Sequence, residues 1–377
     1  MNLAIDIVSE TYPPEVNGVA MTVGRLVEGL RGRGHAVTVL RPRQFRQELP
    51  SRDEIPLAGL PLPGYPGLRL GLPAGGAQRR RWRARRPDLV HVVTEGPLGW
   101  SAVSAARSLG IPVTSGFHTN FDHYSTHYGL GWLRPAVGAY LRTLHRRTCT
   151  TLVPTAALAA DLACAGIPGV KVVGRGVDTS LFDPRRRSEV LRMSWDAGPR
   201  TVVCLSVGRL APEKNLGLVS RSLQDLPGDV RMVWVGDGPA RGALEQKHPD
   251  HVFAGVRRGE ELAAHYASAD IFLFSSLTET YGNVVAEAMA SGLAVAAYRT
   301  AAAAELISPE RDGLAVPPGD EVAFTAAAAR LAEDSGLRQR LGSTARLAML
   351  PRSWEQVVGQ FETAILEAIY RPVGAPG

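Results

Sequence analysis

Cysteine is nearly missing from this chain. Three occur in 377 residues, Cys149, Cys164 and Cys204. Their gaps of 15 and 40 residues match no zinc or redox spacing, so they read as small buried residues. No uninterrupted apolar run reaches the roughly 18 residues that a membrane-spanning helix needs. The start, MNLAIDIVSE, has no basic residue and includes Asp6, unlike a secretory signal. An odd cysteine count without an export signal fits a reducing cytoplasm. Lysine is equally scarce. Lys171, Lys214 and Lys247 stand alone among arginines, which draws notice to any lysine inside a motif.

What is present is ordinary for a globular protein. Hydrophobic residues make up 45% and charged residues 21%, which excludes disorder, collagen and coiled coil. The length suggests two domains, at roughly 100–200 residues each. Charge is uneven. The net +6 divides into +10 over residues 1–177 and −4 over residues 178–377. Part of the basic excess is one run: Arg79, Arg80, Arg81, Arg83, Arg85 and Arg86, with Trp82 inside it. Such a run can dock on an anionic membrane surface, bind nucleic acid, or form a solvated helix face. No helix-turn-helix or zinc-finger spacing supports nucleic acid.

Short apolar strands alternate with amphipathic helices, and the pattern runs twice. NLAIDIV, AVTVL, DLVHVV, PVTSGF, TLVPT and VKVV read as strands of the first half, and TVVCLSVG, RMVWVG, HVFAG, DIFLF and LAVAAY as strands of the second. Alternation of this kind gives parallel sheets covered by helices on both faces. The expected fold is therefore α/β, with two doubly wound Rossmann-like domains facing each other across a cleft. Residues 42–78, rich in Pro and Gly, read as a long irregular connection. A linker is expected near 175–200, where DTSLFDPRRRSEV breaks the pattern. The domains are then 1–175 and 176–352. The amphipathic closing segment 353–377 has Trp354, Val357, Val358, Phe361, Ile365 and Ile369 at helical spacing.

Four constellations bear on chemistry. Asn17-Gly18 lies at a strand-to-helix turn, where a glycine lets a phosphate approach the helix start; a plain turn reads the same way. GRLAPEKN, residues 208–215, follows the first strand of the second half. Arg209 and Lys214 can both reach a diphosphate there, or stand as two solvated cations. ETYGNVVAE places Glu279 in a loop and Glu287 on the next helix, so two carboxylates can bracket hydroxyls of one ligand. The plain alternative is a capping Glu279 and a solvated Glu287. SGFHTNFDHY brings His118 after a strand, as an acid, a base or a structural histidine. His123 and His127 have HxxxH spacing without the zincin glutamate, so no metal site is expected. His91, inside a strand, reads as a core histidine. Gly236 and Gly238 resemble half of a dinucleotide fingerprint, but the full GxGxxG is missing.

Together these residues resemble glycosyltransferase family 4, retaining enzymes of the GT-B fold. The likeness covers nearly the whole chain, through PPEVNGVA, GFHTNF, GRLAPEKN, VGDGP and TETYGNVVAEAMASG. The last is similar to the family's E-x7-E signature. The resemblance implies a diphosphate clamp at Arg209 and Lys214. It implies a donor-sugar ligand at Glu279 and a ribose ligand at Glu287. Tyr281, Gly282, Asn283 and Val284 become a backbone shelf around the phosphate, Gly18 a glycine facing it, His118 the active-site histidine and Val256 a backbone contact to the base. The closing helix is expected to cross back onto the first domain. RPRQ, TEGPLGWSA and GFHTNFDHY resemble the diacylglycerol lipid glycosyltransferases more narrowly. This implies a UDP- or GDP-linked hexose donor, a membrane lipid acceptor with a soluble sugar or polysaccharide as the alternative, and no required cofactor or metal. The basic first half adds an expectation of peripheral contact with an anionic membrane through Arg79, Arg80, Arg81, Trp82 and Arg83. Two departures stand out: Ala294 where the family often has proline, and TAAAAEL, residues 300–306, where many members have a glycine pair.

Overall fold

The computed structural model describes all residues except 1, 16, 45–47, 50, 62–68, 118–133, 225, 227–228, 278, 280 and 371–377. The chain divides into two compact units, Met1–Arg175 with Trp354–Gly377, and Gly176–Ser353. In chain order the first unit holds β1 (Ala4–Val8), β2 (Ala36–Pro42), β3 (Glu54–Leu57), β4 (Gly59–Pro61), β5 (Arg69–Gly71), β6 (Leu89–Val92), β7 (Val113–Gly116), β8 (Thr150–Val153) and β9 (Val170–Val172). Seven of these form one sheet in the order β3-β2-β1-β6-β7-β8-β9, and their pairings are parallel. β1, AIDIV, is almost wholly buried. A parallel strand covered on both faces is selected for this continuous apolar character.

On one face, Val23, Val27 and Leu30 of the helix Gly18–Gly32 pack with Val357, Val358, Phe361 and Ile365 of the C-terminal helix Trp354–Tyr370. The two helices approach so closely that a Cβ on Gly29 would lie 2.4 Å from Val358 Cγ2. On the other face, Trp82 packs with Leu98, Ala102 and Val103. Asp6 is the polar exception on β1. It is buried, and accepts hydrogen bonds from Trp82 Nε1 at 2.7 Å and Arg81 Nε at 3.2 Å.

The second unit holds β10 (Val202–Val207), β11 (Val230–Val235), β12 (Val252–Gly255), β13 (Ile271–Phe274), β14 (Ala294–Tyr298) and β15 (Leu314–Val316). Their order is β12-β11-β10-β13-β14-β15, again parallel throughout. In each sheet the strand order reverses beside the first strand. Ligands of such sheets sit outside the carboxyl ends at that switch point. In the second unit it lies between β10 and β13.

Several expectations need correction. Residues 42–78 are not a plain connection: β3 joins the main sheet, β4 and β5 form an antiparallel hairpin, and a helix starts at Gly75. Nor is 175–200 a free linker. Its Arg192 is 1% exposed and bonds Ser268 O at 2.9 Å and Thr201 O at 2.7 Å, while Asp183 accepts from Arg346. The segment is thereby part of the second unit. Cys204 is buried, but Cys149 and Cys164 are exposed. Among the described residues no helix is long and apolar enough to cross a membrane.

Candidate active site

The loop after β10 is shaped by its neighbour. Gly236 and Gly238 have φ of +137° and +157°, and a Cβ on either would lie 1.9 Å from Gly208 O or 2.4 Å from Leu210 O. Only glycine lets the two loops touch there. These are the glycines of the partial dinucleotide fingerprint, and their task here is packing. The loop then forms a short 3₁₀ turn, Pro212–Lys214, ended by Asn215 in the left-handed region at φ +51°. Ser275 Oγ, just past β13, donates to Lys214 O at 2.9 Å or Asn215 O at 3.0 Å. Lys214 is therefore held from behind at the switch point.

Its side chain meets the loop after β13. Lys214 Nζ donates to Glu279 Oε1, and the two side chains are 20% and 18% exposed. Arg209, on the same loop as Lys214, has its guanidinium 3.6 Å from Glu213 Oε1. Next in sequence, Tyr281 is buried and its carbonyl accepts from Ala302 N at 2.7 Å. Gly282, at φ +87°, is the N-cap of the helix Asn283–Ala290 and brings no side-chain cap. A helix start without a side-chain cap presents backbone N–H groups of Asn283 and Val284 to an anion. The structure thus brings Lys214, Glu279 and the Tyr281–Val284 shelf into one place in the second unit. Val256, at the carboxyl end of β12, is 53% exposed.

Glu287 is placed differently from a surface carboxylate. It is 7% exposed and accepts a 2.9 Å hydrogen bond from Tyr266 Oη. Burial pushes its carboxyl up to about 7, against the lowering effect of the Tyr266 hydroxyl. Sequence reasoning missed Tyr266, Ser275 and the packing role of the two glycines. Phe274, whose ring lies against Gly282, is part of the same support.

In the first unit, Gly18 starts its helix, but Asn17 Oδ1 already accepts from Val19 N at 3.1 Å and Ala20 N at 2.8 Å. The anion contact expected at this turn is therefore preceded by an internal cap. Glu10, at the carboxyl end of β1, accepts from Leu98 N at 3.2 Å. Burial raises its carboxyl to about 7, with Glu95 adding in the same direction. Sequence reasoning missed this residue. His91 is buried, as its place in a strand implied, with Nδ1 2.9 Å from Thr114 Oγ1. His118, His123 and His127 lie outside the described residues. Among the described residues, no group of three His, Cys, Asp or Glu is placed to hold a metal ion.

The arginine run forms the helix Gly75–Ala84 and the residues after it. Trp82 does not face outward as a membrane contact would: it is 1% exposed and bound to Asp6. Arg81 also turns inward to Asp6, and Arg86 holds Leu109 O and Gly110 O. Arg80, Arg83 and Arg85 are exposed and Arg79 is half-buried.

Two parallel Rossmann-like sheets make the GT-B fold, and the second carries a lysine–glutamate pair at its switch point. The fold is similar to that of a sucrose-phosphate synthase from Thermosynechococcus elongatus, with a TM-score of 0.79 at 18% identity over 96% of this chain and 98% of that one. Residues 16–181 match the model described as Glycosyltransferase Family 4, and residues 201–334 the model Glycosyl transferases group 1. A GDP-mannose-dependent alpha-mannosyltransferase from Mycobacterium tuberculosis is 38% identical over 95% of this chain and 96% of its own length. An alpha-monoglucosyldiacylglycerol synthase from Streptococcus pneumoniae is 26% identical over 82% and 74% of the two chains. The chain belongs to glycosyltransferase family 4.

Proposed function

We propose that this glycosyltransferase moves mannose from GDP-mannose to a membrane lipid acceptor such as diacylglycerol or a glycosyl-diacylglycerol, with retention of the anomeric configuration. The observation that carries this reading is the Lys214–Glu279 pair, with Arg209 on the same loop as Lys214 and the glycine-capped start of the helix Asn283–Ala290 just after Glu279. The leaving diphosphate gains negative charge as the glycosidic bond breaks. Lys214, Arg209 and the helix N–H groups stabilise that charge, and such preorganised groups usually form the largest catalytic term. Glu279 accepts hydroxyls of the donor sugar, Glu287 accepts the ribose hydroxyls, and Val256 contacts the base through its backbone. Gly18 and His118 remain candidates for contacts to the diphosphate and the sugar. Two side-chain cations at the leaving group make a divalent metal unnecessary. With no protein nucleophile assigned, attack on the same face is assisted by the departing phosphate. The names of the two relatives support mannose and a lipid acceptor.

Arg79, Arg80 and Arg83 form the contact to an anionic membrane on its cytoplasmic side, without Trp82. The test is a donor panel of GDP-mannose, UDP-glucose, UDP-galactose and UDP-glucuronic acid with diacylglycerol vesicles, with and without chelator. A mannosylated lipid in both conditions, read by mass spectrometry and with the α-anomer read by NMR, is the expected result. Release of the nucleotide without a lipid product moves the acceptor to a soluble sugar or glycan. Loss of turnover with chelator overturns the metal-free mechanism.

A further inference from the structure

Tyr266 lies on the helix Gly259–Ser268 and is fully buried. Its ring sits edge-on to Phe182 at 5.5 Å and tilted against Phe272 at 5.8 Å. A phenol in such a place needs a partner for its hydroxyl. Here the hydroxyl has one proton and two acceptors on the next helix but one contact is better: Glu287 Oε2 at 2.9 Å, against Val284 O at 3.4 Å. Val284 is in the first turn of that helix, and Glu287 one turn on. The hydroxyl therefore donates to the buried carboxylate while sitting 3.4 Å from the Val284 carbonyl in the first turn of the same helix.

We propose that Tyr266 is a positioning residue for the nucleotide: it fixes the Glu287 carboxylate so that its oxygens receive the ribose hydroxyls. The inference rests on the reading of Glu287 as the ribose ligand. A carboxylate with one oxygen anchored has a single orientation toward its ligand. Two ribose hydroxyls also need an ionised acceptor, since a neutral carboxyl would present a donor to one of them. Burial and the Tyr266 hydroxyl are the two influences on Glu287, and only the hydroxyl favours the charged form. The neighbours of Glu287 on its own helix, Ala286, Ala288 and Met289, are buried and apolar.

The test compares GDP with 2′-deoxy-GDP, and UDP with 2′-deoxy-UDP, by calorimetry on the full chain. Wild type, Tyr266→Phe and Glu287→Gln are compared, with a thermal melt of each. Wild type is expected to favour the ribose form of the base it binds by about tenfold or more, the scale of a hydrogen bond to a charged group. Tyr266→Phe is expected to lose most of that preference while binding the deoxy form as wild type does. Its donor KM rises by a similar factor and kcat changes little, as for lost uniform binding. A Tyr266→Phe protein with the wild-type preference and KM, beside a Glu287→Gln protein that has lost the preference, overturns the role of Tyr266 and leaves Glu287 as the ribose ligand. A wild-type or Glu287→Gln result without any effect of Glu287 on the preference overturns both. Tyr266→Met, which also removes the hydroxyl, is the second variant if the Phe protein melts without cooperativity.

Discussion

Lys214 Nζ donates to Glu279 Oε1 across 65 positions of sequence, from the loop after β10 to the loop after β13. The residues proposed for the diphosphate and for the sugar are thus ion-paired with each other.

Lys214→Ala is expected to lower kcat/KM by about 10²- to 10³-fold, the range for removal of one preorganised charge-stabilising contact. The fold should be kept, because partly exposed ion pairs contribute about 1 kcal/mol or less. Steady-state kinetics with a thermal melt checks both halves. Turnover equal to wild type would remove Lys214 from the mechanism.

Gly236→Ala is expected to destabilise the second unit and to weaken donor binding. Its Cβ would lie 1.9 Å from Gly208 O, backbone that carries the loop of Arg209 and Lys214. Overpacking and strain of this kind cost about 1–3 kcal/mol. Gly242→Ala is the control, since its Cβ meets nothing within 4 Å. Urea melts and nucleotide titration of the two variants should separate clearly.

Stability toward acid should depend on His91. Burial lowers its imidazole to about 3 from 6.5, so the unfolded chain binds a proton that the folded chain refuses. The sign follows: this contribution is complete above about pH 6.5 and is lost as pH falls toward 3, at up to about 1.4 kcal/mol per pH unit. Glu10 and Glu287, both raised to about 7 from 4.5, act in the opposite sense. Their contribution is present below pH 4.5 and lost as pH rises through 7. Urea melts of wild type and His91→Gln between pH 4 and 7 isolate the histidine. The gap between them should change steeply with pH, and a constant gap would count against it. The imidazole stands edge-on to Phe361, 4.9 Å away on the C-terminal helix, so acid should loosen that helix first.

Trp82→Phe is expected to cost about 1–3 kcal/mol by taking a donor from the buried Asp6 carboxylate. It should leave vesicle binding unchanged. Arg80→Glu with Arg83→Glu should do the reverse: weaker flotation with anionic vesicles, little change in the melt. A vesicle defect in Trp82→Phe without any loss of stability would contradict the buried position.

The parallel sheets were legible because each strand is a short apolar run between helical patterns. Lys214 and Glu279 stand out in the sequence because each sits in a local motif, and the structure brings their side chains together. What escaped is non-local. Trp82 reads as a surface aromatic among arginines until β1 supplies Asp6, 76 positions away. Tyr266 is one apolar position of a helix until Glu287 arrives from the next one. β3, EIPL, includes a proline and a half-buried pattern, and proline is tolerated at a sheet edge where the strand has one neighbour. Residues 175–200 resemble a linker because much of their order comes from Arg192 and Asp183, charged side chains with partners as far as 76 and 163 positions on.

The C-terminal helix has a consequence for the way this chain is made. The polypeptide leaves the first unit at Arg175 and returns to it at Trp354. During synthesis the second unit is therefore complete before the first. The apolar faces of Val23, Val27 and Leu30 wait for Val357, Val358 and Phe361 on a helix that emerges only after the second unit. A ribosome that stops short of Trp354 releases a finished second unit joined to a first unit whose apolar face lacks this helix, and surfaces of that kind aggregate. Quality control late in synthesis thus falls on the unit whose first segment was made earlier.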